Sequence, residues 1–118
     1  MSASSRPPAT PTVQIDNDTV RVTEWRFPPG TSTGWHRHEY DYVVVPMTTA
    51  TLRILLADGE AAGDLVTGQA YTRQAGVEHE VVNENAFEVV FVEMEIKARA
   101  EAANSEERSS LVMGFYRC

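Results

Sequence analysis

Three histidines carry the chemistry this chain is equipped to do, and it has no others: His36, His38 and His79. His36 and His38 stand two residues apart in an extended stretch. Successive side chains of a strand point to opposite faces, so this pair shares a face and can grip one ion together. His79 lies on a later stretch, beyond a turn at Gly76, which an antiparallel arrangement brings opposite the pair. Imidazole nitrogens suit Fe, Ni, Cu, Zn or Co, and three of them leave coordination positions open for water or substrate. Committing all three to a metal leaves no histidine base for a serine or cysteine nucleophile. The sequence has no Gly-rich phosphate loop.

The elements that must position these rings read as short strands divided by turn signals. Val20 to Phe27 alternates large and polar side chains and ends at Pro28-Pro29-Gly30. Trp35 to Val45 is a second extended stretch, stopped by Pro46. Thr51 to Leu56 is followed by Asp58-Gly59, a hairpin turn signal. Ala70 to Arg73, Glu78 to Asn83 and Phe87 to Ile96 continue the series. Turns at intervals of roughly 8 to 12 residues are the cadence of an antiparallel sandwich or barrel, so the fold class is expected to be all-β. The first twelve residues, rich in Pro and Ser, are expected to form a flexible N-terminal arm. The barrel is expected over 13–96. Residues 97–118 are expected to form a polar C-terminal extension, whose apolar Leu111 to Tyr116 packs on the barrel or on a partner subunit.

Composition narrows the partners. The chain has 118 residues, 42% of them hydrophobic and 23% charged, the balance of one globular domain. Ten Lys and Arg stand against 17 Asp and Glu, a net charge of −7. That argues against nucleic acid or an anionic membrane surface as the main partner. No stretch approaches the ~20 apolar residues of a membrane span, and the N-terminus has no secretory apolar run. The single cysteine, Cys118, forbids an internal disulfide, so a reduced, cytoplasmic setting is expected.

The glycines around the histidines make the pattern more specific. Gly30 precedes His36 and His38; downstream come Gly68, Gly76, His79 and Asn83. This spacing resembles the two motifs of the cupin superfamily, and GTSTGWHRHEYDYVVVP is similar to the corresponding stretch of small single-domain cupins, some of which are labelled β-alanine degradation proteins. The resemblance covers about Thr19 to Ile96. It implies a single antiparallel cupin β-barrel (a double-stranded β-helix, or jelly roll), commonly dimeric, with one divalent transition metal ion (Fe, Ni, Mn, Zn, Co or Cu) in the barrel mouth. His36, His38 and His79 match the family's three histidine ligands. The chain departs from the pattern where the family carries a Glu ligand, four or five residues after the second histidine: Tyr42 and Val43 stand there. Gln74 stands where the second motif carries a Pro.

Without that Glu, three neutral imidazoles leave the ion's charge uncompensated, which favours an anionic ligand. Tyr42, on the histidine face, is the candidate catalytic residue: it can hydrogen-bond a bound species, act as an acid or ligate as a phenolate, or it simply packs with its hydroxyl satisfied. Asp41 would replace the Glu only if a bulge turned it inward. Tyr71 and Arg73 are two apart, so an inward Tyr71 brings Arg73 with it as a candidate substrate-binding residue for a carboxylate. The competing reading pairs Arg73 with Glu78 or Glu80 on the surface. The expected function is a metal-binding cupin enzyme with dioxygenase-, isomerase- or lyase-type chemistry on a small, carboxylate-bearing molecule. The alternative is a non-catalytic cupin that binds a ligand or metal as a sensor or storage module. A homodimer is expected, because small barrels leave edge strands to be covered.

Overall fold

The computed structural model describes residues 5–97, and within them the chain is all-β. The strands are β1 (Thr10–Asp16), β2 (Val20–Phe27), β3 (His36–Arg37), β4 (Asp41–Pro46), β5 (Ala50–Leu56), β6 (Gly59–Leu65), β7 (Tyr71–Arg73), β8 (Glu78–Val82) and β9 (Val89–Ile96). They form a five-stranded sheet in the order β1-β2-β9-β4-β7 and a four-stranded sheet in the order β3-β8-β5-β6. All pairings between these strands are antiparallel.

Side-chain alternation sorts each strand into an inner and an outer face. In β4, Tyr42, Val44 and Pro46 are buried while Asp41, Val43 and Val45 are half-buried. The inner faces of both sheets meet in a core that includes Phe27, Val44, Leu52, Leu65, Val81, Val89 and Phe91. Phe27 and Phe91 pack with ring centroids 5.4 Å apart. Burying each such aromatic side chain is worth roughly 1.5–3 kcal/mol in apolar transfer alone.

Three departures from expectation bear on the site. First, the chain is in regular structure before Val13: β1 starts at Thr10, Ala9 is 5% exposed, and Pro8 bridges Ser32. The amide of Ser32 donates to Pro7 O (3.0 Å) and that of Ala9 to Ser32 O (2.9 Å). Proline forbids a helix here but not an edge strand that leaves its nitrogen unpaired, so the arm expected over 1–12 is anchored from Pro7 onward. Second, Trp35 to Val45 is not one strand. The chain leaves the four-stranded sheet after Arg37 and joins the five-stranded one at Asp41. Third, Gly59–Leu65 (GEAAGDL) is a strand despite lacking β-branched residues, because the tight hairpin Leu56↔Gly59 zips it onto β5. The expected turn is displaced by one residue, to Ala57 and Asp58. The extension expected over 97–118, including Leu111 to Tyr116 and Cys118, lies outside the described residues beyond Lys97.

Candidate functional site

The three histidines converge. His36 on β3 and His79 on β8 are direct cross-strand partners. His38, just past β3, is held by its backbone: its amide donates to Val77 O (2.9 Å) and its carbonyl accepts from Gly76 N (2.8 Å). Gly76 has φ +100, a left-handed conformation that a side chain would strain, so this clamp favours glycine. The Nε2 atoms of His36 and His38 are 3.0 Å apart, and those of His38 and His79 3.2 Å.

The hydrogen-bond partners fix the tautomer of His36. Its Nδ1 lies 3.0 Å from Gly34 O, which only accepts, so the proton sits on Nδ1 and the Nε2 lone pair points inward. Nδ1 of His38 faces the Glu93 carboxylate at 3.7 Å, which favours the proton on that nitrogen too. Lone pairs facing one another at 3.0 Å repel unless something positive lies between them. Burial, and then the neighbouring imidazoles, push His38 down to about 3. Burial, then His36 and Arg73, push His79 down to about 4. Both rings are therefore neutral at pH 7 and available as ligands. Nitrogens ~2.1 Å from a shared ion at roughly right angles would lie ~3.0 Å from one another, as the His36–His38 and His38–His79 pairs do, and the three-histidine group is compatible with one transition metal ion. Among the described residues, these three histidines form a group able to hold one, with ligand atoms all within 4.8 Å of each other.

Asp41, one of the two residues weighed as a replacement for the Glu ligand, is not part of that group. Asp41 accepts from Ala75 N (2.8 Å) and braces the turn into β8; β4 pairs with β9 in unbroken register, so no bulge turns it inward. Tyr42 stacks on His38, centroids 3.9 Å apart and planes 16° from parallel. Burial, and then the charge of Glu93, raise its phenol above the usual tyrosine value, so it is a hydrogen-bond donor rather than a phenolate. The Tyr42 hydroxyl makes no hydrogen bond to any described residue.

Arg73 sits at the exposed rim opposite Tyr42 in the β4–β7 register. Its guanidinium lies 4.7 Å from the Tyr71 ring centroid and donates to Thr72 O (2.8 Å). It pairs with neither Glu78 nor Glu80. Glu80 is buried on the outer side, where it accepts from Ser32 Oγ (2.5 Å) and approaches Arg6 (3.7 Å).

Sequence reasoning missed Glu93. It is 9% exposed and lines the cavity beside the histidines, where it accepts from Trp25 Nε1 (3.2 Å). Burial raises it most, Glu95 raises it further and the Trp25 bond lowers it; the net position is about 7. The signal was readable: in β9, Glu93 and Glu95 alternate in phase with Phe91, placing acids on the apolar face. The cavity behind the histidines has a volume of about 480 Å³.

No family model matches the chain. It is 62% identical over 94 residues to the β-alanine degradation protein BauB of Pseudomonas aeruginosa, a match covering 80% of this chain and 99% of that protein. A crystal structure of a cupin domain from Bordetella pertussis is 60% identical, with a TM-score of 0.78 over 80% of this chain and 99% of that one. A Klebsiella pneumoniae protein with a double-stranded β-helix domain shares the fold at 17% identity, TM-score 0.64, over 80% of this chain and 81% of that one. The chain belongs to the cupin family.

Proposed function

We propose that this cupin is a metal-dependent enzyme acting on a small, carboxylate-bearing molecule, with His36, His38 and His79 holding one divalent transition ion (Fe, Ni, Mn, Zn, Co or Cu). The observation that carries this reading is the convergence of three imidazoles beside an open cavity. An ion held by three nitrogens with open positions supplies Lewis-acid or O₂-activating chemistry of the dioxygenase, isomerase or lyase type. The chain's own groups do the rest. Glu93 orients His38 through its outer ring nitrogen. The Tyr42 hydroxyl, free of any described partner, donates to the substrate. Arg73, which has no ion pair with a carboxylate among the described residues, attracts the substrate's carboxylate. The name of the Pseudomonas relative supports a place in β-alanine breakdown.

Elemental analysis of protein purified without chelator tests the reading. About one metal per chain is expected, with loss of that metal in His79→Ala; a wild-type content far below one overturns it. Screening Fe-, Ni-, Mn- and Zn-reconstituted protein then separates an enzyme from a sensor or storage module, which would show ligand-induced stabilisation without turnover.

The working unit in this reading is a homodimer in the cytoplasm. An apolar row, Ile15, Val22, Met94 and Val43, crosses the outer face of the five-stranded sheet, and Ile15 is 48% exposed. Light scattering showing a monomer at micromolar concentration would remove the dimer.

A further inference from the structure

The cavity is graded along its length, and the register shows how. Across the five-stranded sheet, inner-face residues fall into rungs. The rung level with the histidines is Arg21–Glu95–Tyr42–Arg73. The next is Thr23–Glu93–Val44–Tyr71, and the one beyond is Trp25–Phe91–Pro46. The facing sheet follows the same gradient: the His36–His79 pair gives way to Val81–Ile54 and then to Leu52. Ionisable groups crowd one end, and the other is walled by aliphatic and aromatic side chains.

Volume then decides what fits. A bare three-carbon amino acid occupies about the space of four waters, ~120 Å³ at ~30 Å³ each. That is roughly a quarter of the 480 Å³ available. Part of the remainder is walled by Val44, Leu52, Ile54, Leu65 and Phe91, and waters against those side chains would find few of the polar partners that hold them. Cavities of this size are typical of ligands several times larger.

We propose that the cavity selects a carboxylate carrying an apolar body of roughly six to ten carbons, its head toward the histidines and Arg73 and its body toward Trp25 and Phe91. This rests on the small-molecule reading of the site given above, and it replaces a free three-carbon amino acid as the ligand.

The test is calorimetric titration of the protein, as purified and with its metal content measured, using straight-chain carboxylates from propionate to heptanoate. Affinity is expected to rise about fourfold per methylene, roughly 250-fold across the four methylenes of the series. Dissociation constants equal within threefold from propionate to heptanoate overturn the proposal, and this measurement needs no variant. Leu52→Phe, which fills the apolar end, is expected to reduce the preference for heptanoate over propionate at least tenfold; an undiminished preference also overturns it. The two readings fail separately. Absent metal with intact chain-length selectivity sinks the metal enzyme alone, and one metal per chain with no selectivity sinks this inference alone.

Discussion

The two ends of the barrel are made of the same strands yet treat their polar groups in opposite ways. At the closed end, Phe27 pairs with Val89, both fully buried, and Asn83 beside them is completely satisfied. Its side-chain amide donates to Phe27 O (2.8 Å) and Phe87 O (2.9 Å), and its Oδ1 accepts from Asn85 N (2.9 Å). At the histidine end, ring nitrogens crowd at 3.0–3.2 Å, a carboxyl is buried, and the Tyr42 hydroxyl has no described partner. The closed end completes its bonding within the chain, whereas the histidine end leaves crowded ring nitrogens and the Tyr42 hydroxyl facing the cavity. Stability should therefore reside at one end and ligand chemistry at the other.

The largest effect belongs to the closed end. Phe27→Ala removes a fully buried ring packed on Phe91 and should cost about 3–5 kcal/mol in denaturant unfolding. Metal content per folded chain should not change; a variant that loses metal in proportion would erase the division between the ends. Next comes Glu93→Gln. The amide keeps the shape but loses the charge facing His38 Nδ1, and metal affinity should fall about 10- to 100-fold. The metal-free variant should be more stable than wild type above pH 7, since it no longer buries an ionised carboxylate. Isothermal titration with the metal alone and thermal melts of the stripped protein read the two signs. Loss of both affinity and stability would make Glu93 a packing residue only.

How much of this was legible in the sequence differs by kind of residue. Val20–Phe27 reads as a strand because alternation within a single element is local information, and the structure has the same bounds. The histidine cluster was legible from an i, i+2 pair, a third histidine and two glycine turns, all of which survive any choice of sheet order. For Glu93 the inward face was readable from its phase with Phe91, but its partner was not, because His38 is 55 positions away and belongs to another element. The break between Arg37 and Asp41 was hidden for the same reason. Hydrophobic alternation continues across it, and only the bonds from His38 to Val77 and Gly76 reveal that the chain is changing sheets. Residues 59–65 were missed because their strand character comes from pairing with β5 and not from their own side chains. What a residue does alone or with near neighbours could be read, and what it does through register could not.

The smallest prediction sharpens the contrast through pH, using the metal-free protein. His38 and His79, at about 3 and 4 when folded and 6.5 when unfolded, take up protons only on unfolding between about pH 4 and 6.5. Each makes stability rise with pH across that window. Glu93, at about 7 when folded and 4.5 when unfolded, releases a proton on unfolding between those values, so its slope has the opposite sign. Near pH 5.5 the unfolded chain binds a net one proton more than the folded chain at these three sites, and stability should rise by about 1.4 kcal/mol per pH unit. In Glu93→Gln the opposing group is gone and the slope should approach twice that. Asn83→Ala at the closed end lowers stability but removes no titrating group, so its slope should match wild type. Urea melts of the three proteins at half-unit steps from pH 5 to 6.5 measure all three slopes. An unchanged slope in Glu93→Gln would mean that the buried carboxyl titrates like an exposed one and that the histidine end is wetter than its packing implies.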